Sequence, residues 1–136
     1  MSRLILESAR KDSAREVCGL MGGRGGVITY VFPAANAAGN PATSYEIAPQ
    51  EIFQRMREMR AAGLELLGIY HSHPNGENEP SRRDIESAYY PDAAYFIISP
   101  VANAPRPVRA FSIRDGRTVE LEIHVVPVEE RHDQSA

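Results

Sequence analysis

Apolar and polar residues recur along the chain with helical spacing in some segments and strand spacing in others. Helical spacing predicts a first helix over residues 2–11, a second from near Pro49 to Gly63, and a third over Ser81–Tyr90. Strand-length apolar runs lie at residues 17–21, 27–32, 64–70, 93–99, 108–113 and 119–125, with a brief strand at 45–47. Because strands and helices intermix, we expect one α/β domain with a mixed sheet flanked by helices.

Length, charge and cysteine content narrow the class of protein. The 136 residues suit one domain, which we place at residues 1–128, followed by a flexible polar tail at 129–136. The net charge of -3 gives no basic surplus, so a nucleic-acid partner is disfavoured. The apolar run Leu4–Leu6 is too short for a signal sequence, and no stretch is long enough to span a membrane. With Cys18 as the only cysteine, we expect a cytoplasmic protein.

Two features that suggest other chemistry have simpler explanations. Gly22–Gly26 resembles a phosphate-binding loop in composition but lacks its Lys-Ser/Thr end, so a hairpin turn is favoured. Cys18 has no base indicated beside it, which favours a buried free thiol over a nucleophile. Neither feature is expected to carry the activity.

The informative residues follow directly after a buried apolar strand. His71 and His73 are two apart, so in an extended chain they project to the same face, about 7 Å apart. Pro74 then prevents regular strand pairing. Asp84 lies in the first turn of the next predicted helix and can be folded back over the strand end. Two imidazoles and one carboxylate leave a fourth position open, which is the pattern of a catalytic zinc site.

A purely structural interpretation accounts for part of this pattern. Ser81 and Asp84 also have the spacing of a helix-capping arrangement, which alone explains both residues. Capping does not explain why two of the chain's four histidines lie two residues apart, where both side chains project to one face of a strand. The other two are His124, on the polar side of the last strand, and His132, in the tail, and neither is expected to bind metal. The spacing therefore favours metal.

The same residues resemble the signature of the JAMM or MPN-plus metalloproteases. That signature is a glutamate, a later His-Ser/Thr-His-Pro, a serine separated from the second histidine by seven residues, two more residues and an aspartate. Here it reads Glu16, His71–Pro74, Ser81 and Asp84, with the spacing matched throughout. The resemblance covers nearly the whole chain and implies the JAMM fold, a cytidine-deaminase-like architecture.

The resemblance also implies a role for each residue of the signature. His71, His73 and Asp84 would bind Zn²⁺. Glu16 would take a proton from the zinc-bound water and return it to the leaving amine, as amide hydrolysis requires. Ser81 would donate a hydrogen bond to the oxyanion. Spacing cannot select Glu16 from the other glutamates, so its role rests on the resemblance alone.

The short chain is most similar to the compact bacterial branch of the family. That resemblance implies a metallopeptidase acting after the C-terminal Gly-Gly of a ubiquitin-like β-grasp sulfur carrier, including release of cysteine from a carrier adduct. A non-catalytic interaction module on the same fold is an alternative, although such members usually lack the ligands that this chain keeps. A relationship to the RadC proteins linked to DNA repair is a further alternative, which the acidic balance disfavours.

Overall fold

A six-stranded mixed sheet organises the chain, of which the structure, a computed structural model, describes residues 2–126. The elements in chain order are α1 (Ser2–Lys11), β1 (Cys18–Arg24), β2 (Val27–Ala34), α2 (Pro49–Ala61), β3 (Glu65–Ser72), α3 (Arg82–Glu86), β4 (Ala94–Ile98), β5 (Val108–Arg114) and β6 (Arg117–Leu121). The strand order is β2-β1-β3-β4-β5-β6. Strands β3 and β4 pair in parallel, and the other neighbours are antiparallel.

Helices cover both faces of this sheet, as predicted. Helix α1 packs Ile5 against one face, in a cluster that includes Tyr70. Helix α2 packs Met59 against the other face, in a cluster that includes Ile69 and to which α3 contributes. Because side chains alternate along a strand, His71 projects to the α2 and α3 face with Ile69. The fold class predicted from the sequence, a mixed α/β sheet flanked by helices, is confirmed.

The first two strands form the predicted hairpin, but with a shorter turn. Only Gly25 and Gly26 make the turn, with φ of 58° and 78°, in the left-handed region that favours glycine. Gly22 and Gly23 belong to β1 and flank a β-bulge. The run of glycines therefore serves two purposes, a turn and an irregular strand.

The prediction of a brief strand at residues 45–47 is wrong. The segment has no regular secondary structure: Tyr45 is partly buried, Glu46 is exposed and Ile47 is buried, and it pairs with no strand of the described sheet. Its backbone bonds instead to the preceding loop, where the Ala37 amide donates to the Glu46 carbonyl at 2.7 Å. The alternating polarity of residues 45–47 correctly indicated that one side of the segment is buried, but it could not indicate which part of the chain its backbone bonds to.

Two predicted elements end earlier than expected. Helix α3 ends at Glu86 and not at Tyr90, whose amide donates to the Tyr95 hydroxyl at 3.0 Å and which precedes a proline. Strand β6 ends at Leu121 and lies at the edge of the sheet, where Val119 is 61% exposed. The apolar alternation there does not correspond to a covered face.

Several expectations concern the ends of the chain. His124 is solvent-exposed, as predicted. His132, the tail and the domain boundary at residue 128 lie outside the described residues. Within residues 2–126, no helix combines the length and apolar character needed to cross a bilayer.

Gly19 offers a test of how tightly β1 is packed. A Cβ added there would lie 2.5 Å from the Tyr70 ring and 2.6 Å from the Phe32 carbonyl oxygen, which is backbone and cannot rotate away. We predict that Gly19→Ala lowers the free energy of unfolding by about 1–3 kcal/mol through overpacking. Urea unfolding measures this as a lower midpoint with an unchanged slope.

Gly39→Ala is the matched control, because a Cβ added at Gly39 meets no atom within 4 Å. Its effect on the free energy of unfolding should stay within about 0.5 kcal/mol. Equal unfolding midpoints for the two variants would contradict the packing described for β1.

Candidate metal centre

The pairing of β1 with β3 brings Glu16 to the two histidines. Cys18 pairs with His71 in this antiparallel ladder. Continuing the register by two residues places Glu16 directly opposite His73, and residues opposite one another share a face of the sheet. One carboxylate oxygen of Glu16 and one ring nitrogen of each histidine lie within 4.8 Å of one another. The site therefore lies at the carboxyl end of β3.

Helix α3 brings Asp84 to the same point. Its N-cap is Ser81, whose hydroxyl oxygen accepts from the Asp84 amide at 3.1 Å. Asp84 Oδ2 in turn accepts from the Ser81 amide at 2.9 Å, which completes a capping box. The capping interpretation is thus correct, and it coexists with the approach of this carboxylate to the histidines.

The donor atoms of His71, His73 and Asp84 converge. Asp84 Oδ1 lies 3.1 Å from His71 Nε2, and Oδ2 lies 3.0 Å from His73 Nε2. The two Nε2 atoms are 3.1 Å apart. Ligands at about 2.0–2.1 Å from a tetrahedral zinc ion lie about 3.3 Å from one another. The three side chains therefore fit a small tetrahedral cation in both donor type and spacing.

The protein fixes both imidazole rings. His73 Nδ1 donates to the Glu77 carbonyl oxygen, so in the neutral imidazole Nε2 is the nitrogen that carries the lone pair. The ring of His71 stacks on Tyr45, with centroids 4.3 Å apart and planes inclined by 18°. His71 is only 1% exposed, and its Nδ1 has no hydrogen-bond partner among residues 2–126. The orientation of the site is thus largely set before any ligand binds.

The local electrostatics of these three side chains suit the binding of a cation. Burial lowers the pKa of His71, so its imidazole stays neutral. Burial also acts to lower the pKa of His73, but hydrogen bonds to Asp84 and to the Glu77 carbonyl raise that pKa overall. For Asp84, burial acts to raise the pKa, yet hydrogen bonds from both histidines hold it below its ordinary value. A metal bound here would require an unprotonated Nε2 on each histidine.

Glu16 is a buried carboxyl beside this cluster. It is 5% exposed, and its Oε1 has no hydrogen-bond partner within the described part of the chain. Burial raises the pKa of Glu16 to about 7, since desolvation disfavours the carboxylate. A carboxyl group with such a pKa can both accept and donate a proton near neutral pH.

Cys18 lies close to Glu16 in sequence but is not part of the reactive geometry. Its thiol is buried, and its nearest polar contacts are the carbonyl oxygens of Ala34 and Ala35, each at 3.8 Å. Burial raises the pKa of Cys18 to about 12, which keeps the thiol protonated and unreactive. The prediction of a buried free cysteine is confirmed.

Three supporting side chains were not predicted from the sequence. Ser72 accepts from the Val17 amide through its hydroxyl at 2.9 Å, and Tyr45 stacks on His71. Asn36 bonds to the backbone around Glu16. The contact of Ser72 could have been anticipated in part, because a residue between two histidines of one face must point to the opposite face of the strand. The contacts of Tyr45 and Asn36 depend on the loop conformation and have no local signature.

Comparison with known proteins identifies the family of this chain. Residues 1–114 match the family described as prokaryotic homologs of the JAB domain. The chain belongs to this family. Among its relatives, a desampylase from Haloferax volcanii is 36% identical over 96 residues, which is 69% of each chain. A CysO-cysteine peptidase from Mycobacterium tuberculosis is 34% identical over 124 residues, or 90% of this chain and 84% of the relative.

A solved structure extends the likeness of this JAB-family chain to the fold. The solution structure of a protein from Desulfitobacterium hafniense is 31% identical and has a TM-score of 0.82. The match covers 96% of this chain and 92% of that one. The family and fold inferred from the signature residues are therefore confirmed.

The histidine ligands can be tested by metal analysis. We predict that His73→Ala, purified from zinc-supplemented medium, loses the zinc that the unmodified protein retains at about one ion per chain. His124→Ala removes an exposed histidine and should leave the zinc content unchanged. Inductively coupled plasma mass spectrometry gives the number of zinc ions per chain directly. Equal zinc in His73→Ala and in the unmodified protein would contradict this ligand assignment.

Proposed function

We propose that this chain is a zinc metallopeptidase that hydrolyses the amide or isopeptide bond after the C-terminal Gly-Gly of a small ubiquitin-like sulfur carrier. The observation that carries the proposal is the convergence of three donor side chains beside the buried carboxyl of Glu16. His71, His73 and Asp84 would hold the zinc. When bound, zinc supplies Lewis acidity and a water that is nucleophilic near neutral pH.

Glu16 serves as the proton carrier in this proposal. Hydrolysis of an amide removes one proton from the attacking water and delivers one to the poor amine leaving group. The Glu16 carboxyl lies beside the two histidines, and its Oε1 has no hydrogen-bond partner among residues 2–126. Burial raises its pKa to about 7, which suits a group that must gain and lose a proton in one turnover.

Ser81 stabilises the oxyanion. Its hydroxyl oxygen accepts from the Asp84 amide, and this bond leaves the hydroxyl hydrogen available to donate. The residue is exposed at the N-terminus of α3, next to the Asp84 ligand, where a substrate carbonyl can reach it. One serine thus serves the helix and the reaction through different atoms.

The choice of substrate rests on the relatives and on the chemistry of a glycine tail. One relative is named a CysO-cysteine peptidase and another a desampylase. A Gly-Gly tail can lie extended in a narrow groove that excludes larger side chains. We therefore propose two leaving groups for the same centre, the amine of cysteine and the side-chain amine of lysine. The buried, unpaired Cys18 suits a reducing compartment, and we propose the cytoplasm.

Substitution of Glu16 tests the proposed proton transfer. We predict that Glu16→Gln retains zinc but lowers kcat by about 10²- to 10⁴-fold, because the amide cannot carry the proton. The probes are a β-grasp sulfur carrier ending in Gly-Gly-Cys and the same tail joined to the lysine of a peptide. Mass spectrometry follows release of cysteine or peptide.

The control for this experiment is Glu7→Gln, an exposed glutamate on α1, which should be fully active. A chelator should stop turnover, and added zinc should restore it. The proposed function fails if neither probe is cleaved by the zinc-loaded protein, or if Glu16→Gln is as active as the unmodified protein.

Ser81 can be tested by comparing two substitutions. We predict that Ser81→Ala lowers kcat by about 10²-fold through loss of the oxyanion donor. It should also cost about 1 kcal/mol of stability through loss of the cap. Ser81→Thr keeps a hydroxyl and should therefore retain most of the kcat and most of the stability of the unmodified protein. If Ser81→Ala lowers stability alone and leaves kcat unchanged, Ser81 is only a helix cap.

A further inference from the structure

Glu16 precedes β1, and a loop at residues 35–48 holds its backbone. Its amide donates to the Pro41 carbonyl at 2.7 Å. Its own carbonyl accepts from Asn36 Nδ2 at 2.9 Å. Both hydrogen-bonding groups of the Glu16 main chain are therefore bound to the same loop. The position of the Glu16 carboxyl consequently depends on how well this loop is ordered.

The Asn36 carboxamide is the centre of that loop. Nδ2 donates to the carbonyl oxygens of Glu16 and Ser44, each at 2.9 Å. Oδ1 accepts from the amides of Ala38 at 3.0 Å and Glu46 at 3.1 Å. A carboxamide has two donor hydrogens and two acceptor lone pairs, so these four bonds use its full capacity. No residue other than asparagine offers this set at this length.

The same carboxamide also reaches the histidine side of the site. Ser44 and Glu46, which it binds, flank Tyr45. The Tyr45 ring stacks on His71 with centroids 4.3 Å apart. One side chain thus ties the backbone of the proposed proton carrier to the residue that packs against a proposed ligand. Asn36 bonds only to backbone groups in making these two connections, and it makes no hydrogen bond to the carboxyl group of Glu16 or the ring of His71.

We propose that Asn36 is a positioning residue that holds Glu16, and through Tyr45 the ring of His71, in the geometry required for hydrolysis. This inference rests on the proposed function for its kinetic consequence. Rate is sensitive to such placement, because an error of about 1 Å in a reacting group can cost about 10²-fold. We expect substrate affinity to change little, since the four hydrogen bonds of the Asn36 carboxamide all go to backbone groups of this chain.

The kinetic test compares two asparagines of one loop. Asn36→Ala should lower kcat on the Gly-Gly-Cys carrier by about 10- to 100-fold with little change in KM and in zinc content. Asn40→Ala is the matched control, because Asn40 is exposed and its side chain makes no hydrogen bond within residues 2–126. Equal kcat for Asn36→Ala and Asn40→Ala overturns the inference.

A double substitution separates positioning from general loss of structure. In a Glu16→Gln background, Asn36→Ala should lower kcat by a smaller factor than in the unmodified protein, because one of the two groups that it positions no longer carries a proton. A merely structural role would lower kcat by the same factor in both backgrounds, and that result overturns the inference.

A readout independent of turnover comes from amide hydrogen exchange measured by NMR. The Glu16 amide should exchange faster in Asn36→Ala than in Asn40→Ala, since its bond to Pro41 depends on the loop. If the unmodified protein cleaves neither probe, the proposed function fails, and exchange still decides whether Asn36 holds Glu16. Unchanged exchange at Glu16 overturns the inference.

Asn36→Asp provides the second variant should Asn36→Ala not fold. It keeps an acceptor for Ala38 and Glu46 but turns a carboxylate oxygen toward the carbonyls of Glu16 and Ser44. We expect the same fast exchange at the Glu16 amide and the same fall in kcat. Full activity with normal exchange in Asn36→Asp overturns the inference.

Discussion

The carboxylate of Asp84 joins helix α3 to the end of strand β3, and the site depends on that junction. One oxygen accepts from the Ser81 amide and approaches His73, while the other approaches His71. A carboxylate with so little exposure is stable only when its oxygens are paired. The carboxylate that caps the start of the helix is therefore the same one that contacts both proposed histidine ligands.

The sheet supplies the other half of this arrangement. Strand β3 lies between β1 and β4, with both faces covered, and the two buried histidines lie at its carboxyl end. Ligands in α/β folds commonly bind at such strand ends. The antiparallel register with β1 adds Glu16 opposite His73. A shift of one residue would turn Glu16 to the other face, so register and chemistry are linked.

Sequence reasoning succeeded where the deciding contacts are local. His71 lies in β3 and His73 directly follows that strand, and the helix start at Ser81 places Asp84 within one turn, so spacing alone brought these residues together. It could not select Glu16, because its neighbour Val17 meets Ser72 across 55 residues of chain. Such pairing depends on the whole sheet and leaves no local pattern.

The same distinction explains the misjudged elements. Residues 45–47 alternate in polarity as a strand would, because the segment does bury one side. Its backbone, however, bonds to the Asn36 side chain and to the Ala37 amide, and not to a neighbouring strand. Local hydrogen bonds from asparagine compete with sheet pairing and favour such loops. Polarity patterns report burial, whereas the identity of the partner follows from tertiary structure.

Two buried polar atoms of the site have no hydrogen-bond partner within residues 2–126, namely Glu16 Oε1 and His71 Nδ1. Leaving such an atom unpaired typically costs about 1–3 kcal/mol, so most folded chains supply a partner. In the proposed mechanism, a permanent partner at Glu16 would occupy the oxygen that exchanges a proton with water and amine. The loop fixes the Glu16 backbone through Pro41 and Asn36 and leaves that oxygen free. A hydrogen-bonded backbone with an unpaired side-chain oxygen suits the role of proton carrier that we propose for Glu16.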